Sequence, residues 1–167
     1  MTTLIFVDDE VNILSSLKRL IRHSGCSWDV HTFTSTTEAF EALHTIPLVN
    51  IIVSDYRMPI VDGVTFLNQT KKIQPHALRI LLSGQTDMLA LLQAVNEAEI
   101  FRFITKPWND DDLLMTLKNA VQHQMLQEEN MRLANTVRKQ QKQINEQTQA
   151  LVRLEKESPG ITRLQLD

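Results

Sequence analysis

The feature that most limits how this chain can fold is a series of short apolar segments separated by helical patterns. The segments are residues 4–7, 30–33, 51–53, 78–82 and 100–104. The segments at 4–7 and 51–53 are wholly apolar, and each of the others contains one or two polar residues. Short apolar runs of this kind are typical of strands that are buried on both faces of a sheet. Strands that alternate with helices over short connections predict an α/β fold, in which helices cover both faces of a doubly wound, five-stranded parallel sheet.

Helices are predicted between these strands from apolar spacing and from cap signals. Ser35 followed by Glu38 three residues later is a capping box, and it predicts a helix that runs through Leu43. Apolar residues at three- and four-residue spacing predict the other helices. Their predicted ranges are 11–24, 64–74, 89–95 and a last helix that begins at 110.

Polar residues follow four of the five apolar segments, at the point where each predicted strand ends. Asp8 and Asp9 follow the first segment, and Asp55 follows the third. Ser83 follows the fourth segment and Lys106 follows the fifth. In open parallel sheets, ligands bind outside the carboxyl ends of the strands. We therefore expect these five side chains to form one site at a single edge of the sheet.

The residue types in this expected site favour phosphoryl transfer. Three carboxylates in one pocket need compensating positive charge at neutral pH, and one lysine supplies only part of it. Oxygen ligands without His or Cys select a hard cation, and Mg²⁺ is expected because it also accepts a phosphate oxygen. A carboxylate is then the nucleophile, since Ser83 has no obvious base. The sequence contains neither a P-loop nor a G-x-G-x-x-G motif.

Four motifs in this order resemble the receiver domain of two-component response regulators, which has a flavodoxin-like fold. They are Val-Asp-Asp-Glu at 7–10, Val-Ser-Asp-Tyr-Arg-Met-Pro at 53–59 with Asp62-Gly63, Leu-Ser-Gly at 82–84, and Phe-Ile-Thr-Lys-Pro-Trp at 103–108. The resemblance covers residues 2–122. It implies a phosphoacceptor switch whose only catalysis is its own phosphotransfer and autodephosphorylation, with Mg²⁺ as cofactor and a histidine kinase or phosphotransfer protein as partner.

The resemblance also implies a role for individual residues. Asp55 is the expected phosphoacceptor, and Lys106 is expected to pair with the phosphoryl oxygens and to precede a cis bond to Pro107. Asp9, Asp55 and the backbone carbonyl of Arg57 are expected to bind Mg²⁺, with Asp8 acting through a metal-bound water.

Three further residues are implied to act in switching or in timing. Ser83 is the expected switch hydroxyl, and Phe103 is the expected aromatic residue that turns inward with it. Arg57 and Gln85, each two residues beyond Asp55 or Ser83, are expected to tune the lifetime of the phosphoryl group.

The C-terminal part of the chain has a different pattern. The 51 residues from Trp108 to Ser158 contain neither Gly nor Pro, so one long helix is expected. From residue 126 the apolar positions change phase and follow a 3.5-residue period, which predicts a coiled coil about 43 Å long. One heptad position holds Leu126, Leu133, Gln140, Gln147 and Leu154, and the other holds Asn130, Val137, Ile144 and Leu151.

Three regions are therefore predicted: a receiver domain at 1–122, a coiled-coil helical extension at 123–157 and a tail at 158–167. A homodimer through residues 126–154 is expected, because an asparagine such as Asn130 in the seam favours a parallel pair. The polar seam residues make this coil marginal, and an isolated or antiparallel helix stays open as an alternative.

Composition excludes several classes and leaves other outputs open. A net charge of −3 gives no reason to expect a nucleic-acid partner. The apolar runs are too short to span a membrane, and the first residues lack the basic stretch with which a signal peptide begins. The single Cys26 excludes an internal disulfide and favours a cytoplasmic setting. One alternative is a receiver-like scaffold that does not switch. Another is the N-terminal part of a regulator with a cyclic-di-GMP phosphodiesterase output, although no HD or GYP signature is present.

Overall fold

The computed structural model describes residues 2–84, 87 and 98–160. The strands of the described part are β1 (Thr2–Val7), β2 (Trp28–Phe33), β3 (Ile51–Asp55), β4 (Leu78–Gly84) and β5 (Ile100–Lys106). Its helices are α1 (Val11–His23), α2 (Thr36–Thr45), α3 (Gly63–Thr70) and α4 (Asp110–Glu157). The helix predicted at 89–95 and most of the predicted tail lie outside the described residues.

The five strands form one parallel sheet in the order β2-β1-β3-β4-β5. All five carboxyl ends therefore lie at the same edge, and β1 and β3 lie side by side near its centre. This arrangement confirms the predicted doubly wound α/β fold. It also places the polar residues that follow β1 and end β3, β4 and β5 at one edge, as the alternation of segments predicts.

Side chains that alternate along the strands build two apolar clusters, one on each face of the sheet. Leu4 and Phe6 of β1 enter the first cluster, together with residues of α1 and α4. Ile5 and Val7 enter the second cluster, together with residues of α2 and α3. Successive residues of a strand point to opposite faces, so a strand with a core on both sides must be apolar at every position. This is the reason that the apolar runs are continuous.

Strand β5 departs from that alternation at one point. The register shifts between Arg79 and Ile80 of β4, which pair with Ile100 and Arg102. β5 thus carries one additional residue, as in a β-bulge. As a result Phe101 packs on the first cluster and Phe103 on the second, although residues two apart in a regular strand share a face.

Helix α3 is shorter than predicted. The Asp62 side chain caps its start by accepting a hydrogen bond from the Thr65 N–H at 3.0 Å. The helix ends at Thr70, whose carbonyl accepts hydrogen bonds from the N–H groups of both Ile73 and Gln74. Ile73 still packs on the second cluster from this turn. Apolar spacing therefore identified a side chain that packs on the core, although Ile73 is only partly buried, but it extended the predicted helix too far.

The chain divides into two compact units, residues 1–125 and 126–167. Residues 110–125 of α4 belong to the first unit, and their buried side chains include Leu113, Leu117 and Gln124. In the second unit every described residue is exposed. No helix in the described part of the chain combines the length and the apolar character that crossing a membrane requires.

Candidate functional site

Strand register brings the predicted site residues to neighbouring positions. Asp55 ends β3 and pairs with Leu82 of β4, so Ser83 is the next residue along that strand. Gly84 pairs with Lys106 at the end of β5. Asp8 and Asp9 directly follow β1, which is the other neighbour of β3.

Three carboxylates converge at the ends of β1 and β3. One oxygen from each of Asp8, Asp9 and Asp55 lies within 4.8 Å of the others. Asp8 and Asp55 are buried, whereas Asp9 is exposed. An all-oxygen donor set with an open side suits Mg²⁺, which keeps several of its waters. These residues fit a divalent cation in number, donor type and spacing.

Lys106 lies between the two buried carboxylates. Its Nζ is 2.7 Å from Oδ2 of Asp8 and 2.8 Å from Oδ1 of Asp55. It also lies 3.9 Å from the Glu10 carboxylate. The peptide bond from Lys106 to Pro107 is cis. The ammonium group therefore offsets part of the negative charge that would otherwise destabilise two adjacent buried acids.

The pKa values of Asp55 and Lys106 shift in directions that follow from this arrangement. Burial raises the pKa of Asp55 above its usual range, and the hydrogen bond and charge of Lys106 only partly oppose this effect. Burial by itself lowers the pKa of Lys106, but the hydrogen bonds that it donates to Asp55 and Asp8, together with their negative charge, outweigh this effect and the net shift is upward. Lys106 thus stays positively charged, and additional positive charge would favour ionised Asp55.

The other oxygen of Asp8 is held by the backbone. Oδ1 of Asp8 accepts a hydrogen bond of 2.9 Å from the N–H of Glu10, just before α1 begins. With one oxygen on the backbone and the other on Lys106, this carboxylate has a fixed orientation. Asp9, which makes neither contact, is the carboxylate that faces solvent.

Ser83 is completely buried at the end of β4. Its hydroxyl has no hydrogen-bond partner among the residues that the structure describes. A buried hydroxyl without a partner is unfavourable by about 1–3 kcal/mol. Ser83 follows Leu82, the residue that pairs with Asp55, and its hydroxyl is a donor that the described residues leave unpaired.

Gly63 fixes how the loop after β3 returns to the sheet. A Cβ atom at this position would lie 2.0 Å from the Asp55 carbonyl oxygen. The N–H of Gly63 also donates a 2.8 Å hydrogen bond to the Tyr56 carbonyl. Only glycine allows this approach, so the first residue of α3 rests directly on the backbone of Asp55.

The Arg57 side chain is directed to a partner that sequence reasoning missed. Its Nε lies 3.0 Å and 3.1 Å from the two carboxylate oxygens of Asp87, and Nη2 contacts the same group. Asp87 is buried, and the pair joins the loop after β3 to the segment after β4. The only signal in the sequence was an acidic residue four positions beyond Ser83, which does not identify its partner.

Phe103 lies in β5, three residues before Lys106. Its side chain is half-buried and packs on the second apolar cluster. The structure thus clusters Asp8, Asp9 and Asp55, with Lys106 in contact with Asp8 and Asp55. Ser83 lies on the neighbouring strand, and Phe103 packs on one face of the sheet.

Comparison with known proteins identifies the family. Residues 4–118 match the response regulator receiver domain. The chain belongs to this family. It is 37% identical over 127 residues to the hydrogenase transcriptional regulatory protein HoxA of Bradyrhizobium diazoefficiens, which covers 76% of this chain and 25% of that protein. HoxA of Cupriavidus necator is 38% identical over 131 residues, or 78% of this chain and 26% of that protein.

Two solved structures resemble this receiver, and one of them is itself a signal receiver domain. The signal receiver domain of an HD domain-containing protein from Pseudomonas fluorescens Pf-5 is 33% identical, with a TM-score of 0.70 over 77% of this chain and 92% of that one. A protein from Neptuniibacter caesariensis is 43% identical, with a TM-score of 0.71 over 77% and 93% of the two chains.

Membership of the family establishes the general function. The receiver acts in two-component phosphorelay signalling, in which receiver domains work with histidine kinases and with output domains. Receiver domains bind Mg²⁺ at an acidic pocket, which here corresponds to the cluster of Asp8, Asp9 and Asp55. The chain spans about a quarter of the length of the HoxA relatives.

Proposed function

We propose that Asp55 is the phosphoacceptor and that it takes the phosphoryl group from a phosphohistidine of a histidine kinase or phosphotransfer protein. The observation that carries the proposal is the position of its carboxylate. It lies 2.8 Å from the Lys106 ammonium and within 4.8 Å of oxygens from Asp8 and Asp9. Asp8 is also buried and contacts the lysine, but its other oxygen accepts a hydrogen bond from the Glu10 N–H, whereas Asp55 ends the central strand β3.

In the proposed transfer, a carboxylate oxygen of Asp55 forms a bond to phosphorus while the bond from phosphorus to the imidazole nitrogen breaks. The leaving nitrogen keeps the electron pair of that bond. Mg²⁺, when bound, supplies positive charge that offsets the charge of the phosphoryl oxygens. Asp9, Asp55 and the Arg57 carbonyl would hold it directly, and Asp8 would act through a bound water. Lys106 lies close enough to pair with a phosphoryl oxygen placed on Asp55.

Ser83 and Phe103 are proposed to convert the new phosphoryl group into a conformational change. The unpartnered Ser83 hydroxyl gains a hydrogen-bond acceptor when a phosphoryl oxygen arrives beside it. Movement of this residue would free space toward Phe103, which is half-buried and able to pack further inward. The lifetime of the phosphoryl group would then depend partly on Arg57 and Gln85, as the family resemblance implies.

The direct test of the phosphoacceptor is treatment with acetyl phosphate and Mg²⁺, followed by intact-protein mass spectrometry. The wild-type chain should gain one phosphoryl group, and Asp55→Asn should gain none. Asp29→Asn, which removes a carboxylate from β2, is the matched control and should behave as wild type. Undiminished phosphorylation of Asp55→Asn, or none of the wild type, would show that the proposal is wrong.

We further propose that residues 126–154 pair with a second copy of the chain as a parallel coiled coil. The seam side chains of this segment are exposed, with Leu133 at 50% and Val137 at 61% of their full accessibility. An isolated helix gains nothing from leucine and isoleucine at these positions, whereas a two-stranded coil buries them.

The polar seam residues favour a parallel, in-register pair over an antiparallel one. In register, Asn130, Gln140 and Gln147 each face their own copy, so amide meets amide. In an antiparallel pair the two heptad positions face each other, so in the alignments with the greatest overlap Gln140 would face Val137 or Ile144. Burying an amide against an aliphatic side chain leaves its hydrogen bonds unmade. Self-matching of the three amide layers is therefore the argument for a homodimer.

Sedimentation of the chain with and without beryllofluoride and Mg²⁺ tests both the dimer and its link to the site. We expect a dimer whose dissociation constant falls when beryllofluoride occupies the phosphoryl position. A non-switching scaffold would instead show the same oligomeric state and the same partner affinity in both conditions. A monomer at every concentration would contradict the coiled coil.

A second candidate concerns the output. The receiver domain of an HD domain-containing protein is 33% identical to this one over 77% of the chain, which supports an output related to cyclic-di-GMP hydrolysis. The HoxA and NtrC relatives are by name transcriptional regulators, which supports a different output. Assaying the product of the complete gene for cyclic-di-GMP hydrolysis, with and without beryllofluoride, discriminates between them.

A further inference from the structure

Ile60 has an unusual backbone conformation in the loop between β3 and α3. Its φ angle is +71°, in the left-handed region that L-residues avoid and that β-branched residues almost never adopt. The N–H of Val61 donates a 2.8 Å hydrogen bond to the Pro59 carbonyl, across Ile60. This bond closes a γ-turn of the rare kind with positive φ, which is strained.

The Ile60 side chain does not pack on the core, so no burial offsets this strain. It is 99% exposed, the highest value among the exposed large apolar residues of the described chain. Glycine would adopt the same backbone without steric penalty. An isoleucine here is unfavourable for the free protein in two ways, because its backbone is strained and its apolar side chain is exposed to water. Such outliers are retained where a function outside the fold requires them.

The rest of the loop holds Ile60 in place. The Tyr56 carbonyl accepts hydrogen bonds from the N–H groups of Met58 and Gly63, at 3.2 Å and 2.8 Å. The Asp62 carboxylate accepts hydrogen bonds from both the N–H and the hydroxyl of Thr65. Hydrogen bonds at both ends of the loop hold the Ile60 backbone in one conformation. This reduces the conformational entropy that is lost when a partner binds.

The loop also borders the mouth of the candidate site. A cleft of about 530 Å³ is lined by Asp9, one of the three clustered carboxylates, and by loop residues Met58, Pro59 and Asp62. Ile60 lies between these lining residues in the chain and five residues from Asp55, a reach of at most about 18 Å. Any protein that brings a phosphohistidine in line with Asp55 must cover this rim.

We propose that Ile60 is an apolar anchor for the phosphohistidine-bearing protein that delivers the phosphoryl group. This inference rests on Asp55 as phosphoacceptor. The side chain is buried only when the donor protein docks, so its apolar surface stabilises the encounter complex and not the free receiver. A small donor such as acetyl phosphate makes no such contact and does not depend on Ile60.

The test compares a protein donor with a small one. The protein donor is the purified, autophosphorylated histidine kinase that transfers fastest to the wild-type chain, among the kinases of the source organism. Ile60→Gly should lower kcat/KM of transfer about tenfold, as expected for loss of a well-buried interface residue, mainly through KM. Ile60→Leu, which keeps an apolar side chain, should retain most of the rate.

Two controls accompany these variants. The rate with acetyl phosphate should be unchanged in Ile60→Gly, and its melting temperature should equal or exceed that of the wild type, because glycine relieves the strained turn. Leu48→Asn removes another exposed apolar side chain, in the loop before β3 at the opposite edge of the sheet, and should leave both rates unchanged.

Each outcome decides one of the two proposals. If acetyl phosphate fails to modify Asp55, the phosphoacceptor proposal is wrong. If acetyl phosphate works and the kinase rate of Ile60→Gly stays within twofold of wild type, Ile60 is not an anchor. The anchor is equally overturned if Leu48→Asn lowers the kinase rate as much, or if no kinase of the organism transfers to a chain that acetyl phosphate modifies.

Discussion

The two compact units differ in how far their large apolar side chains are exposed. In residues 2–125, the large side chains of the strands are sealed in two clusters on the faces of the sheet, and Phe6 is only 1% exposed. In residues 126–157, the large apolar side chains are about half exposed, as at Ile144 with 54%. The first unit buries its own apolar side chains, whereas the described residues of the second leave theirs exposed, which is the basis of the proposed pairing with a second chain.

This difference shows that a regular spacing of apolar residues does not by itself reveal which surface buries their side chains. A 3.6-residue stripe in α4 ends on the sheet at Gln124, and a 3.5-residue pattern follows from Leu126. Both are regular, yet among the residues that the structure describes only the first is buried against the sheet. Mutations in the two units should therefore affect different measured quantities, folding stability in one and dimer affinity in the other.

The largest effect is expected in the first unit. Phe6→Ala removes a fully buried ring from the first cluster and should lower the free energy of unfolding by about 3–5 kcal/mol, measured by urea denaturation. Val137→Ala in the second unit is the comparison and should leave the unfolding of the receiver unchanged. A similar loss from both changes would contradict the division.

The next effect is expected at the seam. Ile144→Asp would place two carboxylates against each other in the dimer and should raise its dissociation constant at least about 100-fold, which corresponds to about 3 kcal/mol, measured by sedimentation equilibrium. Asn145→Asp adds the same charge one residue away, outside the seam, and should change little. Equal weakening by both would indicate a charge effect and not seam packing.

A smaller effect is expected where the first unit ends. Gln124, although polar, is 1% exposed, and its side-chain oxygen accepts a 2.7 Å hydrogen bond from the Asn50 amide. Gln124→Ala leaves that buried donor without a partner and should cost about 1–3 kcal/mol of stability. The exposed Gln122→Ala should cost less than about 0.5 kcal/mol, and equal effects in urea denaturation would refute the assignment of Gln124 to the folded core.

The smallest effect should be a gain in affinity. Asn130→Val replaces an amide layer of the proposed seam with a β-branched residue and should lower the dimer dissociation constant about tenfold, or about 1.4 kcal/mol. It should also allow other registers, which disulfide trapping of cysteines introduced at position 126 would detect. A weaker dimer would show that Asn130 does not lie in the seam.

Much of the fold and the site follows from local sequence. Strands buried on both faces must be continuously apolar, so β1 and β3 stand out as runs that end abruptly in Asp8 and Asp55. Parallel pairing then brings those ends together without further information. The proximity of Asp8, Asp55 and Lys106 was predictable because it depends only on strand order and direction.

The remainder depends on contacts between distant segments or on single backbone torsions, which no local pattern encodes. The additional residue in β5 that directs Phe103 to the second cluster breaks the two-residue period instead of following it. Arg57 and Asp87 are thirty residues apart in sequence. The burial of Gln124 depends on Asn50, 74 residues earlier, and amide residues at such positions usually indicate exposed surface.

The close approach at Gly63 has a consequence for how this receiver can change over evolutionary time. Every single-base change of a glycine codon that encodes another amino acid adds a Cβ atom, which here would meet the Asp55 carbonyl at 2.0 Å. Position 63 is therefore closed to substitution. At position 60, three residues earlier, the side chain faces water, so its replacement leaves the packing of the core unchanged. One short loop thus combines a position that must stay glycine with one whose side chain does not contribute to the core. Recognition of a partner can therefore diversify in duplicated genes while the backbone at Asp55 stays the same.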